Sequence, residues 1–91
     1  MTKFKGTKGK WKVVFDKYDY ELKVRNEETT ICMVKSKSHD DEEEANALLI
    51  SKAPEMLEML EHIEHKLRNG YNIMSSDHTR ILQLIKEATE L

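Results

Sequence analysis

The sequence has 91 residues, of which 38% are apolar and 35% are charged, and its net charge is −2. A chain of this length holds one domain with a thin core. Its net charge is too close to neutral to indicate a general affinity for nucleic acid or for anionic membrane surfaces. The single cysteine, Cys32, excludes an internal disulfide and is typical of a reducing cytosol.

The N-terminal residues are basic and contain two glycines. Five lysines precede the first acidic residue: Lys3, Lys5, Lys8, Lys10 and Lys12. We interpret residues 1–9 as a flexible basic arm and residues 10–91 as a single domain. Neither a signal-peptide apolar run nor an apolar stretch of about 18 residues occurs, so we expect no leader and no membrane span.

Three short segments predict an antiparallel sheet. In residues 11–15 a two-residue period places Trp11, Val13 and Phe15 on one face, residues 20–25 alternate between apolar and polar side chains, and residues 29–34 are rich in β-branched side chains. The polar turns between them are too short for a crossover, so neighbouring strands are antiparallel. One face of this three-stranded meander is apolar and needs a cover.

The second half of the sequence predicts two or three helices. The acidic run at residues 40–44 is typical of a helix N-terminus, where the macrodipole is positive. Pro54 then kinks or breaks the helix, and the sequence leaves these alternatives open. A second helix is predicted over residues 54–68, and a third over residues 77–90 with Ser76 as its cap. The fold class is therefore α+β, a meander followed by helices.

A helical seam crosses the predicted break with alternating spacings of four and three residues. Its members are Leu49, Ala53, Met56, Leu60, Ile63 and Leu67. This spacing is that of a coiled-coil seam, and methionines make adaptable contacts. We therefore predict a homo-oligomer, a dimer or higher.

Residues with catalytic chemistry are few. His62 and His65 lie three apart beside Glu58, but they do not match the metalloprotease pattern, and the seam places both histidines on the solvent side. A metal hydrolase using these three residues is the weakest reading. We expect no catalytic residues, no metal and no cofactor, and thus not an enzyme.

A ligand site is predicted from exposed basic and aromatic residues near the sheet. Aromatic rings stack on bases, and cations neutralise phosphates. The candidates are Lys8, Lys10, Lys12, Tyr18 and Arg25. Trp11, Phe15 and Tyr20 are assigned to the core instead.

Residues 44–60 resemble a recurring segment of small bacteriophage and prophage proteins. The family pattern is roughly Ala-(Asp/Asn)-Ala-x-Leu-Ile-x-x-Ala-Pro-(Glu/Asp)-Leu-Leu-Glu-x-Leu. In this sequence Met56 replaces the first leucine of the Leu-Leu pair. The matching residues are Ala45, Asn46, Ala47, Leu49, Ile50, Ala53, Pro54, Glu55, Leu57, Glu58 and Leu60. The Trp-x-Val strand start of that family is similar to residues 11–13 here. We expect Ala45 and Ala53 to let the helix approach the sheet.

The resemblance implies a phage-encoded protein, and together with the thin core, the basic arm and the aromatic sheet it favours a non-catalytic binding protein in the cytoplasm of the bacterial host. Counter-defence or host takeover is the expected role, through sequestration of a host defence protein or a small nucleotide signal. The alternative is a nucleic-acid-binding accessory protein, supported by the lysines of residues 3–12 and opposed by the 17 acidic residues. The family has no known catalytic residues that the resemblance could transfer.

Overall fold

The chain forms three strands followed by three helices in a computed structural model that describes residues 4–18, 20–35 and 41–90. In chain order the elements are β1 (Lys12–Asp16), β2 (Glu21–Arg25), β3 (Thr30–Val34), α1 (Asp41–Ser51), α2 (Ala53–Arg68) and α3 (Ser75–Thr89). The predicted α+β fold, with the meander first, is confirmed.

The sheet has the order β1-β2-β3, and both neighbouring pairs are antiparallel. Val24 lies at its centre, opposite Val13 on β1 and Cys32 on β3. Residues directly opposite one another on neighbouring strands point to the same face of a sheet, so these three side chains share one face. That face packs against α1.

The core between the sheet and α1 is small. Val24, Val34 and Ala47 are buried. Five half-buried residues surround them: Trp11, Val13, Leu22, Cys32 and Ile50. Ala47, rather than Ala45 or Ala53, is the small residue at the contact, since both of those are exposed. The prediction was wrong for Ala45 because it did not establish which side of α1 faces the sheet, and for Ala53 because the break at Lys52 places that residue at the start of α2.

Phe15 and Tyr20 were predicted to lie in the core, but both are exposed. The second strand begins at Glu21, one residue later than predicted, and Tyr20 belongs to the preceding turn with φ of +57°. The core cluster contacts Trp11 and Val13, so Phe15 extends past the part of β1 that α1 covers.

The helical half is divided at Lys52, which has φ of −94° and ψ of 2°. Pro54 occupies the first turn of α2, where its missing N–H is not needed. In a continuous helix its ring would collide with the carbonyl of Ile50. The helix is therefore broken rather than kinked, which resolves the alternative that the sequence left open.

Acidic residues occupy the start of α1, as predicted. Asp41, Glu42, Glu43 and Glu44 form its first turn, whereas Asp40 lies outside the described residues. Four carboxylates there face the positive end of the macrodipole. The acidic run is accounted for by helix stability.

The α2 and α3 helices form an antiparallel hairpin, and the end of α3 returns to α1. Met59 is the buried residue of α2, and Ala88 is buried near the end of α3. The radius of gyration is 15.5 Å, compared with about 12 Å for a compact domain of this length. The molecule is thus elongated. No helix in the described ranges is long and apolar enough to cross a membrane.

Val24 provides a test of the core, since its side chain is 0% exposed. We predict that Val24→Ala lowers the free energy of unfolding by about 2 kcal/mol, because it leaves a cavity where few neighbours can relax. Urea denaturation measures the change. Val14→Ala is the matched control, since Val14 lies opposite Lys23 on the other face of the sheet. Equal losses in the two variants would contradict this account of the core.

Candidate binding surfaces

Three aromatic side chains cluster at the β1–β2 turn, which we name the hairpin tip (Phe15, Tyr18 and Tyr20). Tyr18 is 98% exposed and Tyr20 is 81% exposed. The rings of Phe15 and Tyr20 meet edge to face, with centroids 6.3 Å apart. Large aromatic side chains that are exposed to water can bury a large apolar area when a partner covers them.

Asp16 holds the backbone of the hairpin tip. Its Oδ1 accepts a hydrogen bond from the Tyr18 N–H at 2.9 Å, and its Oδ2 accepts one from Lys23 Nζ at 2.8 Å. Tyr20 has the left-handed backbone conformation, which is uncommon for a bulky residue. The turn therefore presents its tyrosines from a tethered backbone at some conformational cost.

The described part of the N-terminal arm lies against the β2–β3 turn at the other end of the sheet. Trp11 Nε1 donates a hydrogen bond to the Thr7 carbonyl at 3.1 Å, and Asn26 Nδ2 donates one to the Lys8 carbonyl at 2.9 Å. These bonds hold the arm at Thr7 and Lys8, just before Gly9, which has φ of +84°. Residues 1–3 of the predicted arm lie outside the described residues.

A depression of about 420 Å³ lies between the arm and the turn. We name it the arm depression; its lining consists of Lys8, Gly9, Lys10, Asn26, Glu27 and Glu28. Two lysines and two carboxylates make this lining mixed in charge. Lys12 and Arg25 are cross-strand partners at the same end of the sheet and add two cations.

The predicted ligand residues therefore divide into two groups. Lys8, Lys10, Lys12 and Arg25 come together at one end of the sheet. Tyr18 lies at the other end, beyond the five residues of β1, about 14 Å at the rise of an antiparallel strand. One small ligand cannot contact Tyr18 and all four cations closely.

A polar cluster joins α2 to the start of α3. The Asp77 side chain is almost fully buried, with its Oδ1 2.8 Å from His62 Nε2. Its Oδ2 accepts hydrogen bonds from Lys66 Nζ at 2.5 Å and from the Met74 N–H at 2.9 Å. The bonds from Lys66 and the Met74 backbone, and then from His62, hold the pKa of the Asp77 carboxyl well below its usual range.

This cluster corrects two sequence predictions. Met74, not Ser76, precedes the first residue of α3, and the Asp77 carboxylate caps the helix by accepting the Met74 N–H. His62 was expected on the solvent side but reaches across to α3, whereas His65 is exposed. Sequence reasoning missed Asp77 because its partners lie 11 and 15 residues away.

The α2–α3 pair has two unlike sides, which meet at Met59 and Leu84. A polar groove on one side is lined also by Glu55, Glu58, Arg80, Gln83 and Glu87. An open apolar groove of about 290 Å³ on the other side is lined also by Met56, Leu60, Ile63, Ile81 and Ile85. We name this second side the apolar face.

Half of the predicted seam lines the apolar face. Met56, Leu60 and Ile63 belong to it, and Leu67 is exposed one helical turn beyond Ile63. Leu49 and Ala53 are also exposed, but the break at Lys52 places Leu49 on a different helix. Among the described residues, no group of three or more His, Cys, Asp or Glu side chains is arranged to hold a metal ion.

These features define a small α+β domain whose conspicuous surfaces are suited to contact. The chain belongs to the family described as Salmonella phage P22 protein Y8K6, whose model matches residues 1–90. The expectation of a phage protein family is thereby confirmed, while the helical signature at residues 44–60 stays a resemblance. Searches among curated proteins and among solved structures found no match.

The Asp77 cluster predicts how stability depends on pH. Because the folded pKa of Asp77 is lowered, its carboxylate stabilises the fold above its unfolded pKa of about 3.9 and loses that effect as the pH falls below it. We predict that Asp77→Asn lowers the Tm at pH 7. The difference from the wild type should shrink as the pH falls from about 5 towards 2.

Thermal denaturation followed by circular dichroism across this pH range tests the prediction. Glu58→Gln is the control, since it removes an exposed carboxylate from the same pair of helices. A Tm for Asp77→Asn equal to that of the wild type at pH 7 would show that the cluster does not stabilise the fold.

Proposed function

We propose that the chain is a phage-encoded protein that acts by binding a host protein, in counter-defence or host takeover, without catalysis of its own. The observation that carries this proposal is the hairpin tip, where Tyr18 and Tyr20 are almost fully exposed beside Phe15. Membership in a phage family supports the setting. The binding role rests on the chemistry of the tip.

Exposed tyrosines on a tethered turn are well suited to protein recognition. Tyrosine buries a large area at low conformational cost and carries a hydroxyl for a hydrogen bond, and it is enriched among the residues that dominate interfaces. The hydrogen bond from Tyr18 N–H to Asp16 organises the turn before a partner arrives. Less ordering entropy is then lost on binding.

The backbone of Tyr20 supports the same interpretation. A non-glycine residue with positive φ costs about 1–3 kcal/mol, and such residues cluster at functional sites. Tyr20 is 81% exposed, so burial of its side chain within the described residues offsets little of this cost. We attribute this conformation to a requirement that the Tyr20 ring be exposed to a partner.

A protein partner fits this surface better than a small nucleotide does. A nucleotide held by stacking at the tip would leave its phosphates far from Lys8, Lys10 and Arg25. At the arm depression, Glu27 and Glu28 lie beside the lysines, and their carboxylates repel the negative charge of a phosphate group.

The arm depression nevertheless favours a second candidate function, the sequestration of a small nucleotide signal. Lys12 and Arg25 lie side by side at its end of the sheet, and Lys8 and Lys10 line it. These four cations outnumber the two carboxylates by two positive charges, which suits the negative charge of a single phosphate group. Binding of nucleic acid remains the less favoured alternative. A strand with many phosphates would meet the acidic residues as well as the lysines.

Loss of the hairpin tip tests the first proposal. We predict that tagged wild-type protein captures a defined host protein from bacterial lysate, and that Tyr18→Ala with Tyr20→Ala reduces capture at least about tenfold. Tyr71→Ala is the matched control, since Tyr71 is also exposed but lies between α2 and α3. Equal capture by the tip variant would contradict the proposal.

Tyr20→Gly separates binding from folding. Glycine adopts positive φ at little cost, so this variant should keep or raise the Tm while weakening capture. A lower Tm with unchanged capture would show that Tyr20 serves the fold instead.

The nucleotide candidate is tested by thermal shift with cyclic nucleotides and ADP-ribose derivatives. A ligand should raise the Tm of the wild type, because binding to the folded state alone stabilises it. Lys8→Gln with Lys10→Gln should abolish the rise, whereas Lys86→Gln on α3 should retain it. No shift with any compound, or a shift that survives the double substitution, would remove this candidate.

A further inference from the structure

The apolar face is open to solvent in a single copy of the chain. Leu60 is 65% exposed at the middle of α2, and Ile85 faces it from α3 with more than half of its side chain exposed. The groove on the opposite side is lined mainly by charged and polar side chains. Two helices alone cannot enclose the apolar face, since a hairpin has no third layer.

We propose that a second copy of this chain covers the apolar face, so that two α2–α3 hairpins form a four-helix bundle about a two-fold axis. In such an interface the same patch is used by both copies. Apolar residues from facing helices then form a shared core, as in bundles generally. This inference is independent of the function proposed for the hairpin tip.

The surface area of the chain is large enough for this association. The solvent-accessible surface is 7110 Å², whereas a compact monomer of 10.7 kDa exposes about 5500 Å². A standard dimer interface buries about 800 Å² per partner. The described arm accounts for part of the excess, and the α2–α3 hairpin contributes apolar area to it.

The charged groups of α2 do not oppose the association of two copies. Glu55 and Glu58 line the polar groove, and Lys66 is bonded to Asp77 within the chain. The side chains that line the apolar face are all apolar, so two copies of it can meet without placing like charges together.

The position of Leu60 makes the proposal specific. Leu60 lies at the midpoint of α2, which spans Ala53–Arg68, and it belongs to the apolar face. A two-fold axis through the middle of this face brings Leu60 close to its own copy. Glu58 is also exposed on α2 but lines the polar groove, away from that axis.

Light scattering of the purified protein tests the association. We expect a mass of about 21 kDa, twice that of the 10.7 kDa chain. Leu60→Glu should weaken the dimer at least about 100-fold, because each dimer then carries two charges in its core. Circular dichroism should still show a folded monomer, since Leu60 is exposed in one copy. Glu58→Lys should remain dimeric.

Cysteine cross-linking tests the arrangement separately. Leu60→Cys, oxidised under mild conditions, should form a covalent dimer, whereas Glu58→Cys and the wild type, with Cys32 alone, should not. A wild-type monomer at high concentration would overturn the proposal. So would any larger assembly, a dimer that survives Leu60→Glu, or cross-linking that is as efficient at position 58 as at position 60.

Discussion

Proline at position 54 has no N–H to donate, and its ring excludes a continuous helix across residues 51–53. The chain breaks at Lys52, and the break separates two tasks. The shorter helix, α1, covers the apolar face of the sheet, and the longer helix, α2, is released from the sheet to pair with α3. A straight helix over the same residues would carry α2 along the direction of α1. The exposed hairpin, and with it the apolar face, therefore depends on this proline.

The small core has a complementary effect on the surface. One short helix covers three short strands, and the contact is made by side chains as small as Ala47 and Val24. Such a cover buries Val24 on β2 and Val34 on β3 but leaves the end of the edge strand β1 open. Phe15 lies at the end of this edge strand and Tyr20 in the turn that follows, and both are exposed, although Phe15 follows Val13 at the two-residue spacing of core strand residues. A limited core and a conspicuous aromatic tip are two results of the same geometry.

The order and type of the elements could be predicted because they depend on local patterns: the two-residue period of the strands, an acidic first helical turn and a proline. The sites depended on other information. The left-handed conformation of Tyr20 is set by where the turn ends, and one residue of shift moved it from core to surface. Asp77 acquires its role only when α3 lies against His62 and Lys66. The apolar spacing identified Leu60, but only the packing of α2 on α3 showed Met59 to be buried and Leu60 to be open.

The two proposed contacts use different parts of the molecule and are therefore compatible. The hairpin tip belongs to the sheet, and the apolar face belongs to the α2–α3 pair, with α1 lying between them in a molecule 50 Å long. A dimer formed through the helices would leave both tips exposed. Two tips on one particle bind a repeated or oligomeric target with a gain from effective concentration, without any new contact. Self-association would then strengthen the binding of a partner that a single tip holds weakly, which gives the open face of the helical hairpin a functional reason beyond stability.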